Sequence, residues 1–538
     1  MGVCSMFVAN DGQQIAFDDS TFRLTARERK MLEKSWAIPF SERIFPAIDE
    51  KPFSVLYSDN ASRPNTPVNV LVGALILKEF LGQSDDEIRE SLIFDLRYQV
   101  ALHTTSFQEQ PLSDRSLGRF RARNTAYEEE TGIDLIHNCV IFLSKEIAEI
   151  MKINSSLRRM DSLMVASNIK KMSRLELLYT CVSNMVNLLA GDDPETLPEN
   201  LRHYCSKDDR NVVIYHNRSE KTSDRIEQVL RDAEELLPLC SGKFDDASEY
   251  QLLLRVLREQ TVRNEQGSYR LKEASDPSMN SSMLQNPADP DASFREKTGK
   301  QHRGYVANVT ESVGENGSVV TDYQYEQNNH SDSQFLDESL AETDVQPEKG
   351  ILVADGGYSG TNHRLAAEEK NIELVTTGLI GRKAKDVYAD FEFNERGDRV
   401  LRCATDKEPK SCSYVKQSGQ CRVSFPRSAC ENCPRRKECQ PKIFKRRAVV
   451  TISIKSKERA QQQRLRNMEA FSILSAIRNG VESIPSILRR KYRIDHMPVR
   501  GKIPTKHLFG FKIAALNFKK FWGYLQCLGK GMQNLETV

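Results

Sequence analysis

The stretch that most constrains this chain is Ile351–Tyr358, Ile-Leu-Val-Ala-Asp-Gly-Gly-Tyr. A short apolar run ends in Asp355, and two glycines follow at once. Such a run fits a strand covered on both faces. In an α/β fold the carboxyl end of that strand is where chemistry tends to sit. Gly356 and Gly357 leave the backbone free to turn sharply and let a ligand approach. The plainer reading is an aspartate that only opens a turn. Two distant acidic positions, Asp161 and Glu482, weigh against it.

The 538 residues are too many for one core, and roughly two to four domains are expected. Residues 1–61 form a mixed N-terminal segment with a helix over Ala26–Glu33, and Ser62–Pro67 is a turn-rich break. Residues 62–153 read as helical. Val68–Leu81 is strongly apolar behind Pro67, a helix from Ser84 runs to about His103, and a third covers Arg115–Asn124. That third helix carries Arg119 and Arg123, as a DNA-reading helix would, although an ordinary helical bundle explains the same pattern. Ile133–Ile153 continues as an amphipathic helix.

Residues 154–169 hold a first strand, Leu157–Val165, with Asp161 at its middle. A carboxylate there is costly to bury unless it is paired or binds a metal. Residues 170–271 have helical periodicity throughout, an all-α insertion. Residues 272–390 alternate hairpin, helix, strand, helix and strand, which makes one mixed sheet flanked by helices. Residues 391–442 hold half of the twelve cysteines. In residues 443–538, Val449–Lys455 reads as a final strand and Lys457–Gly480 as a long helix. That helix continues to Arg493 past a kink at Pro485.

The net charge of +2 hides an asymmetry. From Pro441 to Val538 there are 21 Lys and Arg against 5 Asp and Glu, a net of +16 that leaves −14 for the rest. The basic end calls for a polyanionic partner. No apolar run reaches the roughly 18 residues that span a bilayer, and the polar start is no signal peptide. A cytoplasmic protein with metal-bound or free thiols is expected, with no membrane partner.

Three carboxylates without histidine or thiolate partners are hard oxygen ligands suited to Mg²⁺ or Mn²⁺. Two such ions can activate a water or a 3′-hydroxyl and stabilise the leaving oxygen of a phosphodiester.

Several motifs together resemble the DDE-type transposases of insertion sequences. Arg159-Met160-Asp161-Ser162 is similar to that family's first acidic strand. Asp289-Pro290-Asp291-Ala292, with Lys297, Lys300 and Gly304-Tyr305, is similar to the lead into its hairpin. Val353–Tyr358 is similar to its second acidic strand. For the third acid the family's helical signature is Tyr, two residues, Arg, three residues, Glu, six residues, Lys. Here the spacing reads Ser475, Arg478, Glu482, Arg489, with Glu469 the nearest competitor for the acid. Offsets of four and eleven from Arg478 fall on one face of a continuous helix.

The resemblance implies a ribonuclease-H-like catalytic sheet, an N-terminal helical DNA-binding domain, and a cysteine-bearing insertion found in one branch. Cys430-x2-Cys433 has zinc-knuckle spacing, with Cys439 downstream and Cys403 upstream. Four thiolates on a structural Zn²⁺ would staple a segment too short for its own core. Cys412 and Cys421 are also available, so the ligand set stays open. Arg478, Arg489, Arg490, Lys491 and Arg493 suit phosphate contacts.

The implied activity is binding to element terminal repeats, cleavage of the ends and joining of the 3′-OH to target DNA. Its catalytic and metal-binding residues would be Asp161, Asp355 and Glu482. The partner would be double-stranded DNA, engaged as a homodimer at the nucleoid. Ser475 and Arg489 depart from the signature, which keeps open a catalytically inactive, zinc-containing DNA-binding protein of the same descent.

Overall fold

The computed structural model describes residues 6–10, 19–58, 64–107, 109–215, 221–297, 299–377, 383–465 and 469–536. Ser62, at the start of the expected turn-rich break, lies outside them, as does the middle of the expected Lys457–Gly480 helix. The strands are β1 Leu157–Ala166, β2 Thr261–Arg263, β3 Tyr269–Leu271, β4 Ser293–Lys297, β5 Lys300–Gly314, β6 Gly317–Gln327, β7 Gly350–Ala354 and β8 Ile372–Thr376. They continue with β9 Glu392–Phe393, β10 Val400–Arg402, β11 Ser411–Val415, β12 Gln420–Pro426, β13 Lys442–Ile443 and β14 Arg447–Ile452. Among the described residues, no helix is long and apolar enough to cross a membrane.

The chain divides into two compact units: Met1–Ser155 with Asp161–Phe335 and Ile484–Val538, and Ser156–Met160 with Leu336–Ser483. The boundary cuts β1 after Met160. The chain is mixed α/β, and its largest sheet is mixed, β1 being flanked by β5 and by β7.

In the first unit the Val68–Leu81 helix forms as its sequence dictates. Pro67 enters it in an extended conformation, and Gly82 ends it in the left-handed region at φ 74°. Most of its side chains are buried, so it is a core helix rather than an amphipathic one. Ser84 and Glu87 form the capping box of the next helix, Asp85–Phe94. That helix does not run to His103. Asp95 is extended at φ −113° and ψ 110°, and its carboxylate caps a separate helix, Leu96–Ala101. The arginine-bearing helix is longer than expected, Ser116–Thr131, and ends at left-handed Gly132. Leu135–Ile150 follows, capped by Asp134.

The insertion has a core of its own, built from helices Arg174–Asp192, Thr222–Cys240 and Ser248–Gln260 around Val182, Leu230 and Leu253. It is not wholly helical, because β2 and β3 close an antiparallel hairpin at its end. β5 pairs antiparallel with β4 and with β6, and β4 had not been expected. Gly304 is at φ +140°, and a Cβ there would meet Ser167 N and Val165 O at 2.4 Å each. Only glycine lets β5 approach the end of β1 this closely.

In the second unit the start of β1 pairs in parallel with β7, Leu157 with Ile351, Arg158 with Leu352 and Arg159 with Val353, and β7 pairs in parallel with β8. Met160, Leu352, Ala354 and Leu374 pack with Leu336 and Leu340 of one helix and Ala367 of another. The apolar run before Asp355 is therefore a buried parallel strand, as its composition predicts.

The cysteine segment corrects two expectations. β14 is no final strand of the largest sheet, because it pairs antiparallel with β12 and β13 in a separate sheet ordered β11-β12-β14-β13. Nor is the segment too short for a core, since Phe391, Val400, Val423, Phe425, Val450 and Ile452 bury one another. The sheet of this segment continues past residue 442 through β14.

Candidate active site

Asp355 follows the last residue of β7, with φ −78° and ψ −178°. One carboxylate oxygen accepts the Gly357 N–H at 2.6 Å and caps a single 3-10 turn, Gly356–Tyr358. Buried Tyr358 and a 2.7 Å bond from the Ser359 hydroxyl to Gly356 O hold that turn. Asp355 does open a turn, then, but its other oxygen stays available. It lies 3.9 Å from Nη2 of Arg478, and its side chain is 38% exposed.

Arg478 comes from the last turn of the helix Glu469–Val481. Its Nη1 donates to Glu482 Oε1, so one guanidinium joins both carboxylates in the second unit. Glu482 is 61% exposed and Arg478 only 14%. The helix is fixed by Arg159 of β1, whose Nη1 donates to Ile477 O at 2.6 Å. Gly480 lies against the same guanidinium, where a Cβ would come within 2.0 Å of Arg159 Nη1. Sequence reading missed this anchor, although Arg159 stands within the motif around Asp161.

The expected continuous helix does not occur. Its break falls at Glu482 rather than at Pro485, and a new helix runs Ser483–Arg490 with Pro485 in its first turn. Proline is tolerated there, where N–H groups have no intrahelical partner. Arg478 and Arg489 therefore do not share one helix face. Arg489 donates to Asp495 at 3.1 Å and to Met164 O at 3.0 Å. Asp161 is half-buried in the first unit's share of β1, and one of its oxygens accepts the Ser162 N–H at 3.0 Å. The side chain of Glu469 lies outside the described residues.

Residues 30–123 match the family model described as transposase domain (DUF772), and residues 402–522 match the one described as transposase DDE domain. Over these two segments the chain is similar to the DDE-type transposases of insertion sequences. The second match takes in Glu482 and the four candidate zinc ligands but ends short of Asp355 and Asp161. No curated protein and no solved structure matches the chain.

The second unit draws Cys403, Cys430, Cys433 and Cys439 around one small cavity of about 30 Å³, backed by Phe391, Phe425 and Val450. Burial pushes the Cys439 thiol up to about 11, with the other three thiols adding to it. Cys412 and Cys421 stand apart as a second pair. Cys421 donates to Asp398 O at 3.1 Å, and burial beside Cys412 pushes its thiol up to about 12. Of the six cysteines left open by sequence, the structure groups those four.

Among the described residues, one trio of metal-ligating side chains has its ligand atoms within 4.8 Å of one another: Glu128, Asp134 and His507 in the first unit. Cations already fill it. Lys506 pairs with Glu128 and, at 2.9 Å, with Asp134, while His507 Nε2 donates to Glu128 at 2.7 Å. It is a buried ion-pair tether between two helices and the helix Lys502–Glu536. Sequence gave no signal for it, because its members are 379 residues apart.

Of the expected DNA contacts on the Ser116–Thr131 helix, Arg119 is exposed, and Arg123 stacks on Tyr57 at 4.9 Å. Arg121 pairs with Asp85.

Proposed function

We propose that this transposase binds the terminal repeats of its element, cleaves the end phosphodiesters and joins the 3′-OH ends to target DNA, with Asp161, Asp355 and Glu482 as its metal-binding acids. The observation that carries this reading is the meeting of Asp355, at the carboxyl end of a buried parallel strand, with Arg478 and Glu482 from one helix end. Parallel β1, β7 and β8 with an antiparallel β4-β5-β6 set suit a ribonuclease-H-like sheet.

The donor set fits Mg²⁺ or Mn²⁺, since Asp355 and Glu482 offer solvent-reachable carboxylate oxygens. When bound, such ions would activate water or a 3′-hydroxyl and stabilise the leaving oxygen. Arg478 neutralises the two acids while no metal is bound, and its guanidinium would turn to a DNA phosphate once metal displaced it. Arg489, Arg490, Lys491 and Arg493, with Arg119 and Arg123 on the Ser116–Thr131 helix, supply further backbone contacts. Cys403, Cys430, Cys433 and Cys439 would hold a structural Zn²⁺. A homodimer acting on DNA at the nucleoid completes the reading.

The test is Asp355→Asn, which should abolish Mg²⁺-dependent cleavage of labelled element ends while leaving end binding intact. Full cleavage by that variant removes the assignment. The inactive, DNA-binding reading is favoured by Arg489, whose guanidinium is committed to Asp495 and Met164 O. Wild-type protein that binds ends but releases no 3′-OH with Mn²⁺ would establish it.

A further inference from the structure

We propose that Cys412 is a modification site for hydroperoxides, with Cys421 as the thiol that closes the oxidised sulfur into a disulfide. The oxidation stands apart from the nuclease reading. Its effect on zinc rests on the reading of Cys403, Cys430, Cys433 and Cys439 as zinc ligands.

Strand register builds the pair. In the β11-β12 hairpin Tyr414 lies opposite Cys421, and Cys412 lies opposite Val423. Alternate residues share a face, so the two cysteines are diagonal neighbours on one face. Their side chains hydrogen-bond to each other. They differ in access, since Cys412 is half-buried and Cys421 is 0% exposed. A small peroxide therefore meets Cys412 first. The Cys421 thiol, pushed up by burial to about 12, keeps its proton until the second step.

In the first step the Cys412 thiolate attacks one peroxide oxygen. The O–O bond breaks, the sulfur becomes a sulfenic acid, and the other oxygen leaves as hydroxide or alkoxide. The Cys421 sulfur then displaces the hydroxyl: an S–S bond forms, the S–O bond breaks, and the Cys421 proton leaves in water. The two thiols give up two electrons, and the peroxide takes them.

Both sulfurs hold the strand that leads to Cys403. Cys421 donates to Asp398 O at 3.1 Å, and Cys412 Sγ accepts the Val400 N–H at 3.5 Å. Val400 opens β10, and Cys403 follows its last residue. A disulfide has no S–H, so Asp398 O loses its donor. Diagonal neighbours have Cα atoms about 7–8 Å apart against about 4.4–6.8 Å in a disulfide, so closure also pulls on the hairpin. Cys403, Cys412, Cys430 and Cys439 all pack on the core that holds Cys421 and Val400. Oxidation of the pair thus loosens zinc at the neighbouring four cysteines.

The experiment treats the full chain, purified with zinc, with stoichiometric hydrogen peroxide, then alkylates it with N-ethylmaleimide and digests it with trypsin. Cleavage after Lys410, Lys416 and Arg422 separates Ser411–Lys416 from Gln417–Arg422, each with one cysteine. Mass spectrometry should find these two peptides joined, and dithiothreitol should part them. In Cys421→Ser, dimedone should label Cys412 and no joined pair should form. In Cys412→Ser, Cys421 should stay reduced. Zinc release to a chromogenic chelator should quicken by up to about tenfold in the oxidised wild type, as the loss of one hydrogen bond allows. In Cys421→Ser, peroxide should leave that rate unchanged.

Joined peptides drawn from Cys430, Cys433 or Cys439 instead would overturn the proposal. So would a wild-type Cys412 left reduced while exposed Cys205 is oxidised. Unchanged zinc release with the joined pair present would overturn the effect on zinc. A chain that holds no zinc yet joins the two peptides would overturn the zinc reading and support the oxidation.

Discussion

Gly480→Ala puts the anchoring of the candidate site to a quantitative test. In an exposed helix interior this change stabilises by up to about 1 kcal/mol, through helix propensity and a less entropic unfolded chain. Here the new Cβ would stand 2.0 Å from Nη1 and 3.0 Å from Cζ of Arg159. Arg159 is only 8% exposed, and the same Nη1 donates to Ile477 O at 2.6 Å, so the guanidinium must shift at the cost of that bond. A hydrogen bond from a charged group is worth about 1.5–3 kcal/mol. The loss outweighs the gain, and a net destabilisation of about 0.5–2 kcal/mol is expected.

The sign should reverse once Arg159 is gone. In an Arg159→Ala background Gly480→Ala should stabilise by up to about 1 kcal/mol, because propensity alone remains. The assay is urea unfolding of the four proteins of the cycle, read with amide exchange at β7 and the Glu469–Val481 helix. Local exchange keeps the second unit's response separate from the first's. If Gly480→Ala stabilises with Arg159 in place, or destabilises equally in both backgrounds, the anchor has been misread. Cleavage should fall with the single variant and partly recover when lysine or glutamine replaces Arg159 to make room.

The buried tether should set a pH dependence. Burial works against the His507 imidazolium, but Asp134 and Glu128 outweigh it and raise its pKa above 6.5, while Asp134 is held below 3.8 despite its own burial. The histidine's contribution is then full below pH 6.5 and lost as pH rises through the raised value, whereas that of Asp134 fades only in acid. His507→Gln should flatten the alkaline decline of the melting temperature, and an unchanged profile would deny His507 this role. For the thiols, Cys433→Ser should lose bound zinc and melt lower, while Cys412→Ser keeps about one zinc per chain. Equal zinc loss in both, measured by metal analysis of the purified proteins, would show that the grouping is wrong.

How much of this was legible in the sequence follows the range of the forces involved. The Val68–Leu81 helix, the Ser84–Glu87 capping box and strand β7 are written in contiguous residues, where proline, glycine and apolar runs act on their own neighbours. Strand β14 was legible as a strand but not as a partner of β12, because alternation fixes which face is buried and says nothing of which strand lies beside it. The helix break at Glu482 was misplaced because Pro485 is a strong breaker only in a helix interior, and three residues into a helix it breaks nothing.

The same limit governs the candidate site. Asp355 could be read from its strand, since the carboxyl end of a buried parallel strand is a local fact. Arg478 was read as a phosphate contact, because spacing put it beside Glu482 but could not reveal Asp355 on its other side. That second contact changes its chemistry: an arginine joining two carboxylates is a charge that any metal ion bound by them would have to displace. Replacing it by glutamine should tighten Mn²⁺ binding even as DNA cleavage falls. Weaker Mn²⁺ binding in that variant would mean that Arg478 organises the acids rather than competes for them.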